Sequence, residues 1–178
     1  ATEVDLCGHA TLATAHVLHS TGLATGTVRF ASRSGTLTAH IGESGTLTLD
    51  FPTARLEPVR PPAELATALG TVATATYTTG TLGDLLVEVV DERTVRALTP
   101  ATADLTTLPG RGVIVTAPAE EPERGYDYVS RYFAPAVGIP EDPVTGSAHT
   151  ALAPLWSDRL GRHDLTGYQA SPRGGLVR

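Results

Sequence analysis

Near the start of the chain, apolar residues recur at helical spacing. Leu12, Ala13, Ala15, Val17 and Leu18 follow a Gly-containing turn at Gly8 and run out near Gly22, which predicts a small-residue helix over about residues 9–21. The period then drops to two. Val28 and Phe30, then Leu37, Ala39 and Ile41, then Leu47, Leu49 and Phe51 alternate with polar residues, and Gly42-Glu43-Ser44-Gly45 separates the last two runs. A β-meander with a hairpin is predicted. Glu57-Pro58-Val59-Arg60-Pro61-Pro62 has no period and reads as a linker. It divides the chain into domains at 1–60 and 61–178.

Beyond the linker, residues 64–69, closed by Gly70, predict a short helix, and residues 71–81 form a Thr-rich extended segment. Residues 84–90 read as a strand, and Asp91 as the N-cap of a short helix reaching Leu98. Leu105 and Leu108 suggest one more helical turn, and residues 112–117 a buried strand. Tyr126, Tyr128, Ser130 and Tyr132 alternate with Asp127, Val129, Arg131 and Phe133, so neither face of that strand is plainly polar. Glu120, Glu121 and Glu123 mark a solvated hairpin tip between the two strands. A second long helix, about residues 146–160, carries Ala148, Ala151, Leu152, Leu155 and Trp156 at helical spacing, and a last strand begins at Leu176 and Val177.

The two long helices open alike. Laying Gly8-His9-Ala10 over Gly146-Ser147-Ala148 brings Ala13 over Ala151, Ala15 over Ala153 and Leu18 over Trp156, a weak internal repeat that suggests a pseudo-symmetric pair of domains. Pro140 and Pro143 are unsuited to a regular ladder or a helix interior, so Asp142 is expected on irregular backbone, and Thr145, Gly146 and Ser147 supply cap-forming residues. Ser147 reads locally as the N-cap. A helix N-terminus leaves N–H groups unpaired and carries about half a positive charge, a seat for a carboxylate or phosphate.

Composition narrows the chemistry. With 41% hydrophobic residues in 178, the chain can bury a core. A net charge of −6 and 13 basic residues, all Arg and scattered singly, leave no footprint for nucleic acid. Small-molecule chemistry is expected instead. One cysteine excludes a disulfide framework and a four-thiolate metal site, and no 18-residue apolar run or signal-peptide pattern occurs; no membrane contact and a cytoplasmic location are the expectations. His16, His19, His149 and His163 lack metal-ligand spacing, so no metal is expected. The absent initiator Met, a motif only a few residues from Ala1, and a closing strand cut short suggest truncation at both ends.

Each candidate side chain also has a plain structural reading. His9 can orient a carboxylate or relay a proton near neutral pH, or serve only in capping. Asp142 beside Glu141 can act as an acid/base group whose flanking prolines fix the backbone, or form a solvated acidic turn, and Glu141 reads as structural. Cys7 at a helix N-terminus would have an activated thiol, but it reads rather as a small buried residue. His149 stands beside the second helix start as a supporting group.

At Cys7-Gly8-His9-Ala10-Thr11-Leu12 and Glu141-Asp142-Pro143-Val144-Thr145-Gly146-Ser147-Ala148 the sequence resembles the PhzF (phenazine-biosynthesis-like) family, relatives of diaminopimelate epimerase and proline racemase. The similarity continues through Ser32-Arg33-Ser34-Gly35, Asp50-Phe51-Pro52, Asp84-Leu85-Leu86-Val87, Arg111-Gly112-Val113-Ile114, Phe133-Ala134-Pro135 and Ser171-Pro172-Arg173-Gly174-Gly175. What the resemblance implies is an α+β fold of two similar domains, each a β-barrel wrapped around a central helix, the first one incomplete here, with the active site in the cleft between them. It implies cofactor-free isomerisation of a small carboxylate-bearing metabolite and a homodimer. It places catalytic groups at His9, Asp142 and Ser147, with Gly8, Gly146 and Cys7 around the substrate. The family's principal acid/base Glu belongs to an Asn-Leu-Ser-Glu-like motif N-terminal to these residues, and Glu3 is not its equivalent. Two other readings stay open: a fold-retaining binding protein without catalysis, and a single-thiol epimerase using Cys7 and Asp142. With one cysteine, a two-thiol racemase is excluded.

Overall fold

The computed structural model describes residues 7–32 and 35–178. Glu3, Asp5, Leu6, Arg33 and Ser34, which belong to the motifs above or their flanks, lie outside the described residues. The chain forms two compact units, residues 1–52 and 53–178.

In the first unit, helix α1 (Gly8–Ser20) precedes strands β1 (Thr27–Ser32), β2 (Gly35–Ile41) and β3 (Leu47–Asp50), which form an antiparallel sheet in the order β1-β2-β3. This is the meander that the period-two pattern predicts. Leu37, Ala39 and Ile41 of β2 are buried, and α1 buries Thr11 and Ala15. Leu12 and Val17 on other faces of α1 stay exposed.

The second unit contains β4 (Glu57–Pro58), α2 (Leu65–Leu69), β5 (Ala75–Thr78), β6 (Leu85–Glu88), α3 (Glu92–Ala97), α4 (Thr102–Leu105), β7 (Val113–Pro118), β8 (Tyr128–Ala134), β9 (Ile139–Asp142), α5 (Gly146–Leu160), β10 (Gly167–Gln169) and β11 (Gly175–Val177). Its sheet runs β11-β10-β8-β7-β6-β5-β4, with β9 paired to the far half of β8. The division between the units falls before the Pro-rich segment rather than at residue 60. Far from being a linker, Glu57 and Pro58 pair with Thr78 and Tyr77, and the Val59 N–H bonds to the Thr76 carbonyl at 2.9 Å. Proline is tolerated there because β4 is an edge strand, where a missing N–H costs no ladder bond.

The strand directions dictate where the helices go. β6 and β7 are parallel, β8 and β10 are parallel, and β7 and β8 are antiparallel. The chain steps from β6 to β7 and from β8 to β10 the same way across the sheet, but along strands of opposite sense, so two crossovers of one hand must lie on opposite faces. They do. Val95, Leu98, Leu105 and Leu108 of the first crossover pack with Val87, Val113, Val115 and Val129. Ala148, Ala151, Leu152, Leu155 and Trp156 of α5 pack with Leu86, Ile114, Tyr128 and Tyr132. Both faces of β8 are therefore covered, which is why its sequence shows no polar face. Complete burial of a side chain such as Leu152 contributes about 1.5–3 kcal/mol.

The α+β class agrees with the sequence reading. Where the resemblance implies a barrel, the terminal strands β11 and β4 of this sheet are not paired with each other among the described residues. Pro154 lies inside α5. It has no N–H for the Thr150 carbonyl one turn earlier, and that carbonyl accepts instead from the Ala54 N–H at 3.1 Å. The proline thus frees an acceptor that docks the segment leading into β4.

Candidate functional site

The Glu141–Ser147 stretch is fixed from three sides. On the first side, Arg131 of β8 reaches Glu141 through two parallel bonds, Nε to Oε1 at 2.7 Å and Nη2 to Oε2 at 2.8 Å. Its Nη1 donates to the Leu98 carbonyl at 2.6 Å, at the C-terminal end of α3. Glu141 is thereby a structural anchor. On the second side, Asp142 pairs with Tyr132 across β8 and β9. Asp142 thus lies in a short strand and not on irregular backbone; the register shift between Tyr132 and Ala134 and an outer edge of β9 that pairs with no strand among the described residues accommodate Pro140. Tyr132 is itself fixed, because its hydroxyl donates at 3.0 Å to Asp84, which Arg111 also holds at 3.1 and 2.8 Å. Burial, and then the Asp84 charge, push the Tyr132 hydroxyl pKa far up, so it stays a donor.

The third side comes from beyond α5. Gln169 of β10 is fully buried, and its side-chain Oε1 accepts from the Thr145 N–H at 2.7 Å while Nε2 donates to the Asp142 carbonyl at 2.7 Å and to Thr145 Oγ1 at 3.1 Å. The Thr145 hydroxyl donates in turn to Asp142 Oδ2. Ser171 Oγ donates to the Pro143 carbonyl at 2.7 Å and accepts from the Gly174 N–H at 3.0 Å, closing the turn against this loop.

The helix opens one step earlier than the local sequence suggests. Thr145, with extended backbone, is the N-cap, and Ser147 is the second helical residue and buried, so Ser147 is not the cap. The Ala148 N–H bonds back to the Thr145 carbonyl at 3.2 Å. The N–H groups of Gly146 and Ser147 have no acceptor among the described residues. One turn in, His149 Nδ1 donates to the same Thr145 carbonyl at 2.9 Å, leaving Nε2 as a buried acceptor without a partner among the described residues. Burial holds its pKa below the ordinary imidazole value.

The first unit repeats this local plan. Gly8 is the first residue of α1, Cys7 its N-cap, and Thr11 Oγ1 donates to the Cys7 carbonyl at 2.9 Å, as His149 does to that of Thr145. His9 and Ser147 therefore occupy the same helical position, and Thr11 and His149 another. His9 is exposed. Cys7 is exposed as well, contrary to the reading of it as a small buried residue: α1 buries Gly8, Thr11 and Ala15, and its cap residue is left outside that row. Asp142, Gly146 and Ser147 are together on the second unit, and Cys7, Gly8 and His9 on the first.

Gln169 and Arg131 are site-shaping residues that sequence reasoning did not single out, and Ser171 entered it only within the Ser171–Gly175 motif, without a role. A signal existed for Arg131, since an Arg in a strand apolar on both faces needs an acid partner. No local signal marks Gln169, whose partners lie 24 and 27 residues away. Among the described residues, no group of three or more His, Cys, Asp or Glu side chains is placed to hold a metal. None of the described helices is long and apolar enough to cross a membrane.

His149 gives a pH test. Its folded pKa lies below the unfolded value of about 6.5, so its contribution to stability is complete above that value and is lost as pH falls through the folded pKa. Denaturant melts between pH 7 and pH 5 are expected to show a shallower loss of stability for His149→Gln than for the native protein. Equal slopes would mean that His149 titrates in the fold as it does in the unfolded chain.

In this mixed α+β protein the entrance of α5 thus brings together a fixed carboxylate and two N–H groups that have no acceptor among the described residues. The chain belongs to the phenazine biosynthesis-like protein family (PhzC-PhzF), whose sequence pattern matches residues 1–178. It is 50% identical over 176 residues to a Pseudomonas aeruginosa protein named an uncharacterized isomerase, an alignment covering 98% of this chain and 65% of that one. It is 41% identical over 180 residues to an uncharacterized isomerase of Halalkalibacterium halodurans, covering 99% and 66%. The crystal structure of a PhzF-family phenazine biosynthesis protein from Enterococcus faecalis superimposes with a TM-score of 0.85 at 44% identity, over 98% of this chain and 65% of the other. The chain thus spans about 65% of the length of these relatives.

Proposed function

We propose that the protein is an isomerase-type enzyme that moves a proton on a small carboxylate-bearing metabolite without a cofactor. One group takes a proton from carbon and another returns one elsewhere, so the product keeps the mass of the substrate. Asp142 and Ser147 serve on the second unit, where Gly146 opens the helix that receives an anionic group, and His9 and Gly8 hold the corresponding positions on the first unit. The naming of relatives as isomerases supports the class of reaction. The observation that carries the reading is a fixed carboxylate next to a helix entrance whose first two N–H groups are unclaimed. The shared cap pattern of α1 and α5 supports two domains of one architecture, each around its central helix. Pairing as a homodimer in the cytoplasm belongs to the same proposal.

The seat is tested by titrating acetate, succinate and benzoate into isotope-labelled protein. The amide resonances of Gly146 and Ser147 are expected to move in a saturable way, and the Leu176 amide to stay fixed. If none of the three anions moves Gly146 or Ser147, the seat is not there. The exposure of Cys7 favours one second reading, a single-thiol epimerase. Under that reading Cys7→Ser loses turnover, whereas under the main one it keeps it.

A further inference from the structure

We infer that Gln169 is a positioning residue of this site, one that sets the direction of the Thr145 hydroxyl and, through it, the place of the Asp142 carboxylate. The inference rests on the reading of Asp142 as an acid/base group.

Burying a primary amide completely is costly unless its hydrogen-bonding groups are matched. Here both ends are matched inside one short loop. A backbone N–H can only donate and a backbone carbonyl can only accept, so the bonds from Thr145 N and to Asp142 O fix which end of the amide is oxygen and which nitrogen. Nε2 therefore faces Thr145 Oγ1 as a donor. A hydroxyl has a single hydrogen. With its oxygen accepting from Gln169, that hydrogen is committed to Asp142 Oδ2. The relay runs from amide to hydroxyl to carboxylate, and it begins on β10, which is parallel to β8 and continuous with the core of the sheet. A residue needed only to fill space at this point could be apolar. Gln169 is instead spent wholly on the loop that carries the motif.

The test uses protein carrying 13C at the Asp side-chain carboxyls, with Gln169→Leu, Thr145→Val and the double variant. Fluorescence of the single tryptophan, Trp156, and a urea melt report whether each is folded. Both single variants are expected to displace the Asp142 carboxyl resonance in the same direction, and the double variant to shift it no further than the larger single change, because the two residues act along one relay. Turnover is expected to fall by up to about 100-fold in kcat with KM little changed, the effect of a displaced catalytic group. Should Gln169→Leu fail to fold, Gln169→Glu, which keeps an acceptor for the Thr145 N–H, is read the same way. An unchanged Asp142 resonance in a folded Gln169 variant, or shifts that simply add, would overturn the inference. The resonance is read without substrate. Its failure with turnover intact removes Gln169 and leaves the isomerase reading, and absent turnover with the shift present does the reverse.

Discussion

Truncating Arg131 to alanine is expected to destabilise the fold by about 3–5 kcal/mol, the usual cost of removing one partner of a buried ion pair. The Arg131 and Glu141 side chains are 10% and 17% exposed, so water can repair little of the damage. Two parallel bonds to the carboxylate are lost, along with the bond to the Leu98 carbonyl and the contact of the guanidinium with the Phe133 ring, 4.9 Å from its centroid. Glu141 is left charged and unpaired beside the residue that the site depends on. The double variant Arg131→Met, Glu141→Leu is expected to recover most of the loss, because matched apolar groups avoid the stranded charge. Urea melts of the three proteins measure both effects. A single-variant loss below about 1 kcal/mol would place the pair in the range of surface ion pairs and remove its role as an anchor.

The second large effect concerns chemistry. Asp142→Asn keeps the shape of the side chain and an oxygen for the Thr145 hydroxyl, so the loop and its stability are expected to survive. What is lost is the capacity to take and return a proton, and kcat is expected to fall by about 10²–10⁴-fold. Anion binding at the Gly146 and Ser147 amides should persist, since those donors belong to the backbone. A variant that turned over normally would reduce Asp142 to a structural residue held by Thr145 and Gln169.

Much of this arrangement was legible in the residues, for reasons that are local. The apolar spacing from Leu12 to Leu18 and from Ala148 to Trp156 exceeds what a loop would show, and Asp91 with its side chain accepting from Thr94 N at 2.7 Å is a cap whose signal sits within one turn. The roles given to His9, Asp142 and Ser147 came from the family resemblance, since each of these residues also has a plain structural reading. What could not be read was long-range. Pro140 and Pro143 argue locally against a strand, yet β9 forms because β8 extends past β10 and offers an unpaired edge. The same holds for Glu57 and Pro58, whose partner lies about twenty residues on, in β5. Pro154 sits in a helix because Ala54 takes the carbonyl it leaves free. Gln169 gives no local sign of its part, since its meaning lies in three bonds to a loop on the other side of α5.

The central claim is that the protein moves a proton on a carboxylate-bearing molecule by way of Asp142. The direct measurement incubates the native protein and Asp142→Asn with a pool of small carboxylic acids in heavy water, followed by chromatography, NMR and mass spectrometry. The predicted result for the native protein is at least one acid converted to an isomer, unchanged in mass or heavier only by exchanged deuterium, with conversion by Asp142→Asn slower by about a hundredfold or more. Equal conversion by the two proteins, or anion binding at Gly146 and Ser147 with no isomer formed from any acid that binds, would contradict it.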